Sequence, residues 1–157
     1  MCGRYGNFMP AEEITALFGA EGPLVWDEHF NIAPSQDAPI ALRSKSGNRV
    51  GTVRWGLHVG SADRGRRQIN ARSETIHTRP AFRTAFERRR CVVPASGFFE
   101  WRLEGDRKVP YWIRAADGAP LVMAGVWGRD PESSEQGDEQ RTGEPGFAVL
   151  TRAATEP

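Results

Sequence analysis

The chain has 157 residues, of which 39% are hydrophobic and 26% charged, and its formal net charge at pH 7 is +1. This length and composition favour a single globular domain. It contains only two cysteines, no CxxC spacing, and no apolar run of membrane-span or signal-peptide length. The sequence therefore predicts no disulfide framework, no metal site and no membrane partner, and we expect a cytoplasmic protein with free thiols.

Charge is distributed unevenly along the chain. Residues 64–90 hold nine arginines and two glutamates, whereas residues 130–144 hold six acidic residues and one arginine. Most arginine-rich stretches are solvated helix faces, but the planar guanidinium group also suits bidentate contacts to phosphates. Because a ligand meets the local field rather than the net charge, a nucleic-acid partner is an open alternative.

The first part of the chain predicts one helix followed by extended segments. Residues 10–20 have acids in the first turn, a glycine near the end and apolar residues at helical spacing: Ile14, Leu17 and Phe18. Residues 30–42 contain two prolines and are typical of an extended segment broken by turns.

A strand is predicted next, over residues 48–57. Its apolar residues alternate, which places Val53, Trp55 and Leu57 on one face. Residues 58–68 are polar and lack periodicity, so we expect a loop there.

The remaining chain predicts a second helix and several strands. Residues 79–90 form an arginine-rich helix with an apolar stripe of Ala81, Phe82, Ala85 and Phe86. Four β-rich runs follow, at residues 91–101, 109–115, 120–128 and 146–154. The acidic segment between the last two runs is expected to be a loop. Many short strands with two helices indicate an α+β fold with a barrel-like antiparallel sheet.

Cys2 follows the initiator methionine in "MCGRY". Removal of Met1 would leave an α-amine and a thiol on neighbouring carbons, with reference pKa values of about 7.7–8.0 and about 8.5, so that both are partly nucleophilic near neutral pH. The amine can condense with an aldehyde to an imine, and the thiol can close that imine to a thiazolidine. The alternative is a small residue that is packed or simply exposed near the terminus.

An aldehyde within a phosphate polymer occurs in the opened sugar of an abasic nucleotide. Two polar residues stand out by their sequence context. Asn70 of "QINARSET" is equally typical of a turn or cap. Glu100 lies in the aromatic run "SGFFEWR" and either faces solvent or faces inward, where it could serve as a general acid or base. The sequence leaves both alternatives open.

The other candidate nucleophile and the histidines are less informative. Cys91 begins an apolar strand and is typical of a core residue. The histidines, His29, His58 and His77, share no spacing with one another or with Cys2. We therefore predict no histidine base for Cys2, and neither a metal nor another cofactor.

Several stretches, taken in order, resemble the SOS response-associated peptidase (SRAP) family. They are "MCGRY", "FNIAPSQ", "RWGL", "INARSET", "PAFRTAF", "RRRCVVPASGFFEW", "YWIRAADG" and "AVLTRAA". The resemblance implies an α+β fold with an SRAP-like curved antiparallel pseudo-barrel sheet and short flanking helices, in one domain over residues 2–157. It also implies a monomeric, nucleoid-associated protein of the DNA damage response that crosslinks covalently to abasic sites in single-stranded DNA and shields them.

The resemblance assigns roles residue by residue. Cys2 would be the nucleophile that forms the thiazolidine, Asn70 would orient the terminal amine and bind the opened sugar, and Glu100 would act as acid and base in lyase-like Schiff-base chemistry. DNA contacts are implied for Arg4, Asn31, Pro34, Arg72, Trp101 and Thr151. The peptidase activity in the family name would remove Met1 and expose the amine of Cys2.

The chain departs from the family pattern at two places. Family members continue into a histidine-containing motif, whereas this chain ends at Pro157, so we expect a domain that lacks its C-terminal segment. The segment 58–68 lacks the tryptophans often found there. This predicts a weaker or differently built discrimination of junctions between single-stranded and double-stranded DNA.

Three alternatives to the crosslinking function remain. A cysteine peptidase or hydrolase would use only the Cys2 thiol, and the absence of a histidine partner counts against it. A non-covalent single-stranded DNA-binding module would use the arginines and aromatic residues. A truncated domain without activity is the third.

Overall fold

The structure is a computed structural model that describes residues 2–59, 67–129 and 143–153. Three expectations lie partly or wholly outside these residues: the loss of Met1, the polar loop at 58–68 and the acidic loop before the last strand. Among the described residues the elements in chain order are β1 (Tyr5–Asn7), α1 (Ala11–Leu17), β2 (His29–Ile32), β3 (Asp37–Ser44), β4 (Gly47–Trp55), β5 (Leu57–His58), β6 (Arg67–Gln68), β7 (Asn70–Arg72), α2 (Pro80–Arg88), β8 (Arg90–Ala95), β9 (Gly97–Glu104), β10 (Arg107–Ile113), β11 (Leu121–Arg129) and β12 (Pro145–Thr151).

Five strands close into a barrel in the order β11-β8-β3-β4-β12, with β12 pairing back onto β11. Most of these pairs are antiparallel, but β12 runs parallel to β4 and then, further along, parallel to β7. The predicted α+β barrel is confirmed, and the two parallel pairings make its sheet mixed. The pairing of β12 with β7 places Val149 opposite Asn70.

A four-stranded antiparallel sheet, β10-β9-β1-β2, lies beside the barrel. Tyr5 of β1 pairs with Phe98 of β9 on one side and with Ile32 of β2 on the other. Directly opposed residues of an antiparallel pair share a face. Tyr5, Phe98 and Ile32 therefore share the face that packs into the barrel core.

Two clusters of buried side chains hold these elements together. The first includes the barrel core, with Cys2, Tyr5, Ile32, Ala38, Ile40, Trp55, Cys91, Val93, Ala95, Phe147 and Val149. The second contains side chains from α2, from strands β5, β7, β11 and β12, and from the segments that follow β5 and β7: Leu57, Val59, Ala71, Ile76, Phe82, Ala85, Val126 and Ala148. Trp55 is fully buried, and its Nε1 donates to the Ile69 carbonyl oxygen over 2.9 Å. Trp55 thus supports the backbone that leads into β7.

The local patterns predicted both helices but not every buried position. Gly56 adopts φ +144° and turns the chain after Trp55, so Leu57 enters the second cluster instead of sharing the face of Trp55. In α2, Phe82 and Ala85 are buried as expected, whereas Ala81 is exposed. In α1, only Ile14 is buried. The differences in the two helices arise because long-range packing decides which part of an apolar stripe is covered.

Candidate functional site

A cavity of about 260 Å³ opens beside the N-terminal segment, between β9, β11 and β12. Its lining residues are Cys2, Phe98, Glu100, Met123, Ala124, Val149, Leu150, Thr151 and Arg152. We call it the Cys2 cavity. It brings together a thiol, a carboxylate, a hydroxyl and a guanidinium group from widely separated parts of the chain.

The Cys2 side chain is 7% exposed and packs against the barrel core. Its Sγ lies 3.9 Å from the Arg4 carbonyl oxygen. Burial raises the pKa of the Cys2 thiol to about 11, a backbone hydrogen bond at Arg4 opposes the rise, and the negative charge of Glu100 adds to it. The thiol is therefore protonated at neutral pH, and its use as a nucleophile needs a base.

Asn70 begins β7 and reaches the N-terminal segment. Its Nδ2 donates to the Cys2 carbonyl oxygen over 2.7 Å. Its Oδ1 is buried and has no hydrogen-bond partner among the described residues. A buried, unpaired acceptor costs about 1–3 kcal/mol, so its position beside Cys2 calls for an explanation. An ammonium or amine group on Cys2 would supply the missing donor.

Glu100 faces the Cys2 cavity, which answers the question that the sequence left open. Side chains alternate along β9, so Phe98 and Glu100 lie on the cavity side, and Phe99 and Trp101 lie on the opposite side. Glu100 is the carboxylate among the residues that line the cavity, and no histidine lies among them. The arrangement gives the thiol one candidate proton acceptor.

Several cationic and polar groups surround the cavity at the end of β12. Thr151 lines the cavity and pairs with Arg72 across β12 and β7. Arg72 is exposed, as a residue that contacts phosphate would need to be. Arg152 also lines the cavity, although the sequence analysis did not single it out. The sequence did contain a signal for Arg152, because this arginine comes directly after Thr151 at the end of an apolar strand.

Pro34 lies in the turn between β2 and β3. Two backbone hydrogen bonds join this turn to Trp55. The Ser35 N–H donates to the Trp55 carbonyl oxygen over 2.8 Å, and the Trp55 N–H donates to the Gln36 carbonyl oxygen over 2.8 Å. Trp55 Nε1 also donates to the carbonyl oxygen of Ile69, the residue before Asn70. Trp55 therefore contacts both this turn and the backbone that leads to Asn70. Pro34 is not among the residues that line the Cys2 cavity.

The other expected DNA contacts lie on a different surface. Arg4 is opposite Phe99, whose N–H donates to the Arg4 carbonyl oxygen over 2.9 Å, so its side chain shares the face of Trp101. Arg4 Nη1 donates to Asn31 Oδ1 over 3.2 Å. We call this side of the four-stranded sheet the outer face. The structure thus places Cys2 and Glu100 in the cavity, Asn70 against the Cys2 carbonyl oxygen, and Arg4, Asn31 and Trp101 around the outer face.

A second cavity, of about 280 Å³, lies between β3 and β8. It is lined by Phe18, Ala41, Leu42, Arg43, Asn48, Arg90, Cys91 and Val92, and these residues include no carboxylate. The described ranges contain no group of three His, Cys, Asp or Glu residues placed to hold a metal ion. No helix in the described part of the chain is long and apolar enough to cross a membrane.

The chain is similar to two curated proteins that differ in how much of their length it covers. It is 36% identical over 134 residues to abasic site processing protein YoaM of Bacillus subtilis (strain 168), covering 81% of this chain and 59% of that protein. It is 34% identical over an alignment of 160 positions to abasic site processing protein YedK of Escherichia coli (strain K12), covering 98% and 68%. The chain therefore spans about three fifths of the Bacillus relative.

Solved structures have the same fold. A protein from Bacteroides thetaiotaomicron matches with a TM-score of 0.77 and 27% identity over 96% of this chain and 68% of that one. A phage-related protein from Bordetella bronchiseptica matches with a TM-score of 0.74 and 26% identity over 96% and 69%. The family model described as SOS response associated peptidase (SRAP) matches residues 1–157. Sequence motifs, barrel and relatives agree, and the chain belongs to the SRAP family.

Proposed function

We propose that the chain processes abasic sites in single-stranded DNA by capturing the sugar aldehyde with the amine and thiol of Cys2. The names of the relatives support the substrate. The chemistry rests on the side-chain amide of Asn70. Its Nδ2 donates to the Cys2 carbonyl oxygen over 2.7 Å, and its Oδ1 is a buried acceptor without a hydrogen-bond partner among the described residues. Such an acceptor suits a residue whose own nitrogen is a free amine.

The reaction has two bond-forming steps and needs no redox partner. Once Met1 is removed, the Cys2 nitrogen attacks the aldehyde carbon and a C–N bond forms. Loss of one water leaves an imine. The Cys2 sulfur then adds to the imine carbon, a C–S bond forms, and the thiol proton ends on nitrogen. The product is a five-membered thiazolidine that joins the protein to the DNA.

The neighbouring side chains have distinct parts in these steps. Because the pKa of the buried Cys2 thiol is raised to about 11, Glu100 accepts the thiol proton as the C–S bond forms and delivers a proton to nitrogen. Asn70 Oδ1 accepts a hydrogen bond from the amine and fixes its direction of attack. Asn70 on β7 and Glu100 on β9 come close to Cys2 only in the folded protein.

The rim of the cavity would hold the DNA backbone. Arg72 and Arg152 lie at the end of the β7–β12 pair, next to the Thr151 hydroxyl. Guanidinium groups bind phosphate oxygens bidentately, and hydroxyl groups donate to them. We assign the peptidase activity in the family name to the preceding step, the removal of Met1.

Crosslinking to a single-stranded oligonucleotide with one abasic site tests this function. Wild type is expected to give a heat-stable band on a denaturing gel. Cys2→Ala should give none, and Cys2→Ser should give at most an imine that borohydride can trap. Cys91→Ala, which alters the other buried thiol, should crosslink like wild type. Equal heat-stable adduct from wild type and Cys2→Ala would contradict the proposal.

A further inference from the structure

Tyr5 buries a hydroxyl group in the barrel that the proposed steps do not use. The side chain is 0% exposed, and its Oη is buried without a hydrogen-bond partner among the described residues. A hydroxyl group that leaves water without gaining a new partner destabilises the folded protein, and a phenylalanine would fill nearly the same space without that cost. The unpaired donor of Tyr5 therefore calls for an explanation, as the unpaired acceptor of Asn70 does.

The strand pairing and a neighbouring indole fix the direction of the Tyr5 ring. Tyr5 is opposite Phe98 of β9 and shares its face, and Phe98 lines the Cys2 cavity. The ring meets the fully buried Trp55 in an edge contact, with centroids 5.1 Å apart and ring planes at 66°. Trp55 is itself held by its hydrogen bond to the Ile69 carbonyl oxygen. The hydroxyl group therefore cannot turn towards water without displacing the core.

The core around Tyr5 offers few acceptors. Apart from Tyr5, Trp55 and two cysteines, the buried side chains of its cluster are aliphatic or phenyl groups. The Trp55 Nε1 only donates, so the side-chain acceptors among these buried members are the sulfur atoms of Cys2 and Cys91. Met123, which packs against the cluster, adds a weak thioether acceptor. Burial raises the pKa of Tyr5, and the negative charges of Cys2 and Cys91 add to that rise, so the hydroxyl is protonated within electrostatic reach of both.

Of the two thiols, Cys2 is the one that the proposed chemistry ionises. Cys91 Sγ is directed towards β11, since a Cβ at Gly125 would lie 2.9 Å from it. Cys2 Sγ donates to the Arg4 carbonyl oxygen over 3.9 Å, a long contact that ends when the sulfur loses its proton. A backbone hydrogen bond at Arg4 favours the thiolate, yet burial still raises the pKa of Cys2 to about 11. A further donor would make this sulfur easier to ionise.

We propose that Tyr5 is a positioning residue whose hydroxyl donates a hydrogen bond to Cys2 Sγ as the thiol ionises and closes the thiazolidine. The thiol proton passes to Glu100, and Tyr5 keeps its own proton throughout. The sulfur then forms the C–S bond with the imine carbon, and the hydrogen bond from Tyr5 ends. The role in ring closure rests on the proposed function, whereas the effect of Tyr5 on the acidity of the Cys2 thiol is measurable without DNA.

Alkylation of Cys2 by iodoacetamide tests this effect, because the thiolate is the reactive form and the rate follows the acidity of the thiol. The rate is measured from about pH 7 to about pH 10 by intact mass, and peptide masses separate Cys2 from Cys91. Loss of a hydrogen bond to a charged group should slow alkylation of Tyr5→Phe about tenfold to a hundredfold at about pH 8, with the profile displaced to higher pH. An unchanged or faster rate would overturn the proposal.

Two variants are the controls for Tyr5→Phe. Tyr111→Phe removes the hydroxyl of the chain's other tyrosine, which is exposed and donates to Glu104. Trp26→Phe removes another buried donor that has no partner among the described residues, and Trp26 packs against the same cluster. Both should be alkylated at Cys2 like wild type. A slowing in Trp26→Phe as large as that in Tyr5→Phe would assign the effect to the core as a whole and overturn the proposal.

Urea denaturation separates the proposed role from a purely structural one. Tyr5→Phe should unfold at the same or a higher urea concentration than wild type, because the resting protein loses a buried hydroxyl without a partner. A lower midpoint together with an unchanged alkylation profile would assign the hydroxyl to the stability of the barrel and overturn the proposal.

Crosslinking to the abasic oligonucleotide keeps this proposal distinct from the proposed function. Heat-stable crosslinking by wild type, together with unchanged alkylation of Tyr5→Phe, would overturn the role of Tyr5 and leave the function intact. No crosslinking by wild type, together with slower alkylation of Tyr5→Phe, would support the hydrogen bond to sulfur and reject the function. If both hold, Tyr5→Phe should slow the conversion of imine to heat-stable adduct by a similar factor and leave imine formation, which uses the amine, unchanged.

Discussion

Asn70 joins the N-terminal segment to the barrel through one short hydrogen bond from Nδ2 to the Cys2 carbonyl oxygen, 2.7 Å long. We predict that Asn70→Ala slows crosslinking about tenfold to a hundredfold, because a misplacement of about 1 Å has effects of that size on reactions between positioned groups. The rate is measured under single-turnover conditions with saturating DNA.

Asn48→Ala is the matched control for Asn70→Ala. The Asn48 amide also donates to a backbone carbonyl oxygen, that of Phe18, over 2.7 Å, but at an exposed site away from Cys2. The control should crosslink at the wild-type rate. Equal rates for Asn70→Ala and Asn48→Ala would remove Asn70 from the chemistry.

Glu100 and Cys2 together predict a pH dependence. Burial raises the pKa of the Cys2 thiol to about 11, and the charge of Glu100 adds to that rise. At pH 7, Glu100→Gln should slow thiazolidine formation about a hundredfold, since positioned acid–base groups commonly contribute that much. The deficit should shrink as the pH rises towards the thiol pKa, because more of the sulfur ionises without help.

The test measures the rate at which reducible imine converts to heat-stable adduct, from pH 7 up towards the thiol pKa of about 11. Glu12→Gln, on the exposed side of α1, is the control and should match wild type throughout. Parallel pH profiles for wild type and Glu100→Gln would show that Glu100 does not take the thiol proton.

At the scale of elements, the parallel pairing of β12 with the end of β4 leaves no space for a side chain at Gly146. A Cβ on Gly146 would lie 2.2 Å from the Gly56 carbonyl oxygen. The Gly56 N–H donates to the carbonyl oxygen of Phe147, the next residue of β12, over 2.8 Å. Gly146→Ala must therefore shift backbone, and we expect it to destabilise the protein by about 1–3 kcal/mol or more.

Gly51→Ala provides the comparison for Gly146→Ala. Gly51 lies in β4, and a Cβ there would meet nothing within 4 Å. Urea denaturation should give a clearly lower midpoint for Gly146→Ala and a nearly unchanged one for Gly51→Ala. Similar midpoints would mean that the paired strands β4 and β12 accommodate a side chain at Gly146 without loss of stability.

The elements also show how far the sequence could predict this site. Periodicity predicted both helices and most strands, and both the pattern of short strands and the motif resemblance predicted the barrel. Neither could orient Glu100, because the inward face of β9 is set by its pairing with β1 and β10, which are distant in sequence. The parallel alignment of Asn70 with Val149 and the inclusion of Arg152 in the cavity likewise depend on long-range register.

At the scale of the whole molecule, buried thiols couple barrel stability to alkaline pH. Burial raises the pKa of Cys91 to about 12 from the ordinary value of 9.0. The thiol therefore contributes stability that is complete below pH 9 and is lost as the pH rises towards 12, by at most about 4 kcal/mol. Cys91→Ala should lower stability at pH 8 yet flatten its decline between pH 9 and 11.

Chemical denaturation at several pH values measures that slope. Cys2→Ala is the comparison, because the pKa of Cys2 is raised less, to about 11, and its removal should flatten the decline less than Cys91→Ala does. An unchanged slope in Cys91→Ala would place the alkaline sensitivity elsewhere, for instance at the fully buried Tyr5, whose pKa burial also raises.

Intact mass of the wild-type adduct with an abasic oligonucleotide tests the central claim most directly. Capture by the amine and thiol of Cys2 predicts one heat-stable species, whose mass is that of the chain without Met1 plus the DNA, less one water. Cys2→Ala should show only separate protein and DNA masses. An adduct that retains Met1, or a heat-stable adduct of the same mass shift in Cys2→Ala, would contradict capture by Cys2.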